Sequence, residues 1–450
     1  MRYCLAGSTI ALILFGSVVS ELTIGAGVPA VAQAVSDSPV DKVNSPQQTE
    51  AEQLLKEADQ QLSAARYQEA LQLCRQALKI YQQLDDRQGE ANAMSVLGKI
   101  HSTLSQYREA IDFLKSALTI YQNLQDQHKI LEILDQLGIA YFAQARYQTA
   151  QQTHIQALKL AIALEDLEGQ AKAFNGLGNA SRFAGQRTQG AEFHEKALAI
   201  AQKIKNQKEE VRALNGLGNA YGNRIEKAVV FYNQALTIAR ASGYRSEEAK
   251  ALTNLGGTEI ALRRYENGIR LLEQALKITK RINEQRVSAV TLENLGRIYQ
   301  HLGRHEKAIQ VQQEALAIYR QIDNLEGEAS CLGWLGIAHR HLQQYEKAIE
   351  FYEQKLKIAQ KLENKEKIAE SYGDLGVSYN FLKQHRKAIA LHEQALELYR
   401  ELDLEGSQGL TLGNLGLAYG NLREYDKARN FRAFGDLASS AELRVIDRAI

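Results

Sequence analysis

A chain of 450 residues exceeds one ordinary compact core, so it either divides into domains or is built from repeats. With 45% hydrophobic and 24% charged residues its composition is that of a folding chain and excludes wholesale disorder. A net charge of +1, both signs interspersed, gives no bulk attraction for nucleic acid or an anionic membrane.

The first segment reads as an export leader. Arg2 precedes an apolar run from Leu5 to Val19, and Ala32-Gln33-Ala34 supplies a small-x-small cleavage pattern. Glu21 ends the run short of the ~20 residues that a membrane-spanning helix needs. Residues 1–34 are therefore expected to be a removed signal peptide, which places the protein in the periplasm or outside the cell with no stable membrane insertion. The alternative is an uncleaved anchor. Residues 35–50, with Pro39, Pro46, Ser, Asp and Asn, read as a flexible linker. No proline follows Pro46, which suits uninterrupted helices. Past the leader only Cys74 and Cys331 remain, many repeats apart, and two buried thiols are expected rather than a disulfide.

From about residue 51 the chain repeats. Leu-Gly recurs at Leu97-Gly98, Leu137-Gly138, Leu177-Gly178, Leu217-Gly218, Leu255-Gly256, Leu295-Gly296, Leu335-Gly336, Leu375-Gly376 and Leu415-Gly416. The step is 40 residues throughout except for one of 38, where the turn around Gly222 lacks two residues. Ala-Leu follows in the second half of each unit, with Lys355-Leu356 as the departure. Apolar residues at three- and four-residue steps, as in Ala308–Tyr319, mark one buried stripe per helix. A tight turn such as Gly303-Arg304-His305 joins the two helices of a unit, and Asp323-Asn324 caps the helix that restarts the next. One helix pair cannot bury its own apolar face, so neighbours must stack. The prediction is an all-α, right-handed solenoid of about ten stacked antiparallel pairs over residues 51–430. A divergent tail, residues 431–450, could form a final capping helix.

The small-x-x-aromatic, Leu-Gly and Ala-Leu pattern resembles the tetratricopeptide repeat, in the 40-residue form of Pins-like scaffolds, kinesin light chains and many bacterial arrays. The resemblance implies a non-enzymatic scaffold whose first helices line a groove for a protein or peptide partner. In the relatives, asparagines beside Leu-Gly hold the backbone of an extended peptide, since an amide offers both donor and acceptor. Slot by slot, Asn179, Asn219, Asn254, Asn294 and Asn414 match, and the other units depart. A second cluster, Asn294, Arg297, His301, Trp334, Arg340 and His341, falls on slots expected to face the groove. A tryptophan beside arginines is a candidate anchor for an acidic or extended segment.

No chemistry beyond binding is written in the sequence. Gly176-x-Gly178 and Gly216-x-Gly218 follow the repeat register and not a nucleotide fingerprint. His305 and His385 take a slot otherwise held by tyrosine, and His339 that of Tyr299 and Tyr379, so the register accounts for them better than a metal does. No catalytic constellation, cofactor or metal site is expected. The competing expectation is a self-associating structural component of a cell-envelope assembly.

Overall fold

A computed structural model describes residues 45–63 and 66–431. The leader read at residues 1–34 lies outside them, as does the tail beyond Phe431. The described residues form nine consecutive helix pairs. α1 (Pro46–Ser63) pairs with α2 (Tyr67–Gln83), α3 (Arg87–Thr103) with α4 (Tyr107–Asn123), and α5 (Gln127–Ala143) with α6 (Tyr147–Ala163). α7 (Leu167–Phe183) pairs with α8 (Arg187–Lys203), α9 (Gln207–Ala220) with α10 (Ile225–Ala241), and α11 (Arg245–Ala261) with α12 (Tyr265–Ile282). α13 (Gln285–His301) pairs with α14 (His305–Gln321), α15 (Leu325–His341) with α16 (Tyr345–Lys361), and α17 (Lys365–Phe381) with α18 (His385–Glu401). α19 (Glu405–Asn421) opens a tenth pair, whose second helix begins at Tyr425. The array starts earlier than the expected linker boundary at residue 50. Pro46 is the first residue of α1, where its fixed φ suits a helix and its missing N–H costs nothing.

First helices also touch one another, α1 against α3 through to α13 against α15, while second helices pack chiefly on the first helices flanking them. The first helices therefore lie on the tighter, concave side. Six of their N-termini are capped by side chains: Asp86, Asp126, Asp166, Asn206, Asn324 and Asn364 each accept a hydrogen bond from the backbone N–H three residues on. Cys74 and Cys331 are buried and unpaired. Burial, with the charge of Asp59 second, pushes the Cys74 thiol up to about 12, so it stays protonated and inert.

Most turns end on one residue in the left-handed region, and glycine holds it only at Gly185, Gly243 and Gly303. Elsewhere a side chain is held there against its preference, as at Lys383, φ 60°. The cost is offset because Gln384 N–H reaches the Tyr379 carbonyl at 2.9 Å, closing the helix end. Lys383→Gly is expected to stabilise the protein by about 1 kcal/mol, read as a higher urea midpoint with unchanged slope; an unchanged or lower midpoint would contradict this account of the turn.

The Leu-Gly period has a steric cause. Each such glycine from Gly98 to Gly376 is a notch into which one side chain of the partner helix inserts. A Cβ on Gly98 would sit 2.6 Å from Leu114, on Gly138 2.4 Å from His154, on Gly218 2.3 Å from Tyr232 and on Gly336 2.5 Å from Tyr352. No Cβ survives at such distances, so the glycine is fixed by close approach of the helices. The inserted residue varies freely in chemistry: Leu114, His154, His194, Tyr232, Leu272, Gln312, Tyr352 and His392 hold equivalent slots.

The solenoid also meets itself. Asn324 Nδ2 donates to the Ala143 carbonyl at 3.2 Å, 181 residues away in sequence, and the Tyr147 hydroxyl donates to Glu326 at 2.8 Å. Arg108 adds an exposed ion pair to Asp323 at 3.4 Å. One hydrophobic cluster accordingly joins residues of α4 and α5 to residues of α13, α14 and α15. The coil thus completes a turn in about four and a half units, and the α5–α6 corner rests on the start of α15.

Candidate binding channel

The concave side where the coil closes holds two adjoining cavities, of about 490 Å³ and about 290 Å³. Both are walled by Phe142, Phe183, Arg286 and Val290, so they lie side by side along one concave channel with those four residues between them. The larger is lined by aromatic and charged side chains together, and the smaller chiefly by polar and charged ones.

A chain of charges crosses the smaller cavity. Arg212, from α9, bonds Glu209 at 2.6 Å and Glu247 of α11 at 3.1 Å, and Lys250 reaches Glu247 at 3.1 Å. Asn175 of α7 donates to the Glu209 carboxylate at 3.1 Å. Burial pushes Glu247 up, but Lys250 and Arg212 outweigh it and hold its carboxyl at about 2. Asp135 lies at the far end with the opposite outcome. Desolvation by the channel walls raises its pKa despite Arg212 and Lys172 nearby. The charged groups come from the same face of successive first helices, so repeat spacing itself sets them in a row.

Two buried imidazoles lie beneath this row. His154 fills the space between Gly138 and Gly176, and His194 that between Gly178 and Gly216. Gly176 and Gly216 are thus the second walls of the two histidine slots. Burial lowers His154 to about 4; burial and then the charge of Arg182 lower His194 to about 3. His194 Nδ1 shares a hydrogen bond with Asn175 Oδ1 at 3.2 Å.

Of the residues singled out in the sequence, Asn179, Asn219 and Asn254 line the smaller cavity and Trp334 the larger. Asn219 is engaged, accepting from the Tyr232 hydroxyl at 2.8 Å. Asn179 and Asn254 make no side-chain hydrogen bond among the described residues, so their amides are available to a ligand. Arg297 and Asn294, from α13, line neither cavity, but Arg297 reaches Trp334. Its guanidinium lies 5.6 Å from the Trp334 ring and donates to Asn294 at 3.3 Å. Asn414 is half-buried on α19 and lines neither cavity. Arg340 is half-buried and also lines neither.

His301 and His341 line neither cavity. Both are exposed at the ends of α13 and α15. Each ring stacks on the first residue of the preceding pair's second helix, His301 on Tyr265 at 5.8 Å and His341 on His305 at 4.9 Å. Tyr147 with Phe183 and Tyr345 with Phe381 make the same contact. The aromatic slot noted in the sequence is therefore a ladder joining adjacent pairs, and the end of a first helix serves that ladder.

Lys355 was not marked as a site residue, although its departure from Ala-Leu was visible. It takes the alanine slot, lies along Gly333, and pairs with Asp374 at 3.0 Å and Glu370 at 3.5 Å inside the larger cavity. A long cation fits there because Gly333 leaves its path open.

Fold and channel together define a helical repeat scaffold for protein interaction. The tetratricopeptide repeat family model matches residues 50–123, 169–241, 247–321 and 328–401, and the chain belongs to that family. No curated protein matches it in sequence. Among solved structures it is similar to the apo form of the quorum sensor NprR from B. thuringiensis, at 17% identity and TM-score 0.53 over 76% of this chain and 99% of that one. It is also similar to the Rap conjugation gene regulator of plasmid pLS20, at 17% identity and TM-score 0.49 over 77% of this chain and 97% of that one. A third is the STAND protein PH0952 from Pyrococcus horikoshii, with a tetratricopeptide repeat sensor, at 17% identity and TM-score 0.48 over 76% of this chain and 55% of that one. At these identities the likeness is one of fold. Among the described residues no helix is long and apolar enough to cross a membrane.

Proposed function

We propose that the chain is an exported, non-enzymatic scaffold that binds an extended segment of a partner protein along the channel. The observation that carries this reading is that two adjoining cavities on the concave side are lined by uncommitted polar groups. The Asn179 and Asn254 amides offer paired donor and acceptor to a main chain, and the Trp334 indole N–H has no partner among the described residues. Arg297 beside Trp334 supplies an anchor for an acidic or aromatic side chain. Asn294 orients that arginine, and Asn219, tied to Tyr232, stiffens the wall of the smaller cavity. Binding by this route needs shape and hydrogen bonds along a preformed surface and no covalent step. The leader-like residues 1–34 support a site of action outside the cytoplasm.

The test is selection of a displayed random-peptide library on the full chain, followed by calorimetry of the selected peptides. Asn254→Ala combined with Trp334→Ala is expected to weaken them at least tenfold while circular dichroism stays unchanged. Equal affinity for the variant would move the site off the channel. No selected peptide, together with a mass that grows with concentration, would favour the self-associating structural role instead.

A further inference from the structure

Two arginines of the channel have no counter-ion. Arg182, in the last turn of α7, and Arg286, in the first turn of α13, both line the smaller cavity, yet neither makes an ion pair within 4.0 Å among the described residues. They share an aromatic platform. The Arg182 guanidinium lies 4.0 Å from the Phe183 ring and that of Arg286 5.3 Å from Phe142, while those two rings meet edge to face at 5.4 Å. Arg182 Nε is buried without a hydrogen-bond partner. Burial, and the like charges of Arg187 and Arg286, hold its proton affinity below the ordinary range, against the opposing pull of Tyr232 and Tyr147.

Of the carboxylates lining the cavities only Asp135 has no ion pair or hydrogen bond among the described residues, and the cations acting on it are Arg212 and Lys172; the others are engaged elsewhere. Glu293 accepts from Tyr319 at 3.0 Å and Ser330 at 2.7 Å. Glu326 accepts from Tyr147 at 2.8 Å and Lys367 at 3.0 Å, and Glu284 from Ser246 at 3.0 Å. Glu209 and Glu247 are taken by Arg212 and Lys250. Arginine cannot shed its proton to relieve the repulsion, as lysine could. Two half-buried forks left facing the same space call for an oxyanion, which each can bind bidentately.

We propose that Arg182 and Arg286 form a binding site for a single oxyanion, bridging α7 and α13 across the superhelical turn. The occupant we assign is a carboxylate of the bound segment, an acidic side chain or chain terminus, so this deepens the peptide-binding reading and rests on it for that occupant. Free phosphate offers the same chemistry from another source.

The full chain would be titrated, at matched ionic strength in dilute HEPES, with inorganic phosphate, with a C-terminally amidated triglutamate peptide, and with trilysine. Phosphate and triglutamate are expected to raise the melting temperature and to compete, trilysine to do nothing. Arg182→Gln and Arg286→Gln should each weaken both anions at least tenfold. Without added anion these variants should melt at or above the wild-type temperature, because removing one unpaired like charge relieves the other. Arg286→Lys, which keeps the charge but loses the fork, should fall between. Binding of phosphate but not triglutamate would support the oxyanion site and overturn the segment carboxylate as its occupant. Asn254→Ala with Trp334→Ala should leave phosphate binding intact, so failure of the wider channel reading is seen separately. Anion binding undiminished in both Gln variants, or variants that melt well below wild type and bind phosphate normally, would overturn the site.

Discussion

Between pH 7 and pH 5 the protein is expected to lose on the order of 6 kcal/mol of stability, about 2 kcal/mol for each of three buried histidines. His154 and His392 are held at about 4 and His194 at about 3, against an ordinary value of 6.5. In the unfolded chain these imidazoles bind a proton as the pH falls through 6.5. In the folded chain they stay neutral until the pH nears their own lowered values. Across that window the unfolded state holds more protons, so acid favours it; above 6.5 both states are neutral and the effect vanishes. Glu247, at about 2, acts in a lower window, since its contribution is present above its ordinary 4.5 and fades only below that. The two causes are therefore separated in pH. His154 and His194 lie in adjacent pairs, so the block from α6 to α9 should lose its protection first in hydrogen exchange at pH 5. Replacing all three with leucine, the residue found at the equivalent Leu114 and Leu272, should flatten the dependence between pH 7 and 5. Urea midpoints that do not move over this range in the unaltered protein would refute the assignment.

Gly216→Asn is expected to destabilise the protein by about 3 kcal/mol, and His194→Leu to rescue most of that loss. A Cβ on Gly216 would lie 2.2 Å from the His194 ring, which is bounded on its other side by Gly178, where an added Cβ would lie 2.5 Å from it. The ring can retreat toward neither helix, so an added side chain must push the pairs apart. The double variant recreates a combination already in the chain, because Leu272 and Asn294 hold the two equivalent slots. His194→Leu by itself should cost about 1 to 2 kcal/mol, through the lost bond to Asn175 and a poorer fit beside two glycines. A double variant no more stable than Gly216→Asn would show that slots are not interchangeable between units. It would then remove the steric account of the Leu-Gly period.

Why the channel was only partly legible follows from the same slots. The position of Asn179, Asn254 and Trp334 relative to the glycine notch is fixed within one helix, but Asn294 and Asn414 hold the same slot as Asn254 and line neither cavity, so the coil decides which units contribute. His301 and His341 could not be judged by that rule. They extend from a helix end, where the start of the neighbouring pair's second helix decides what an aromatic side chain meets. His154 and His194 are chemical departures in slots whose second walls, Gly176 and Gly216, lie in the next unit, while Lys355 departs beside Gly333 of its own unit. A departure paired with an extra glycine on a facing first helix was the signal that could have found them.

The sequence by itself determined the all-α repeat, the phase of every unit, the capping aspartates and asparagines, the two inert thiols and the interruption near Gly222. All of these depend on contacts within one helix pair or between neighbours, so a 40-residue window contains their causes. The tertiary structure alone decided that Tyr147 meets Glu326 and Asn324 meets the Ala143 carbonyl, and hence that Arg286 comes to the aromatic platform beneath Arg182. Those contacts depend on the rotation accumulated over several stacked pairs. A small change in each step would separate residues 180 positions apart, and no local pattern records that sum.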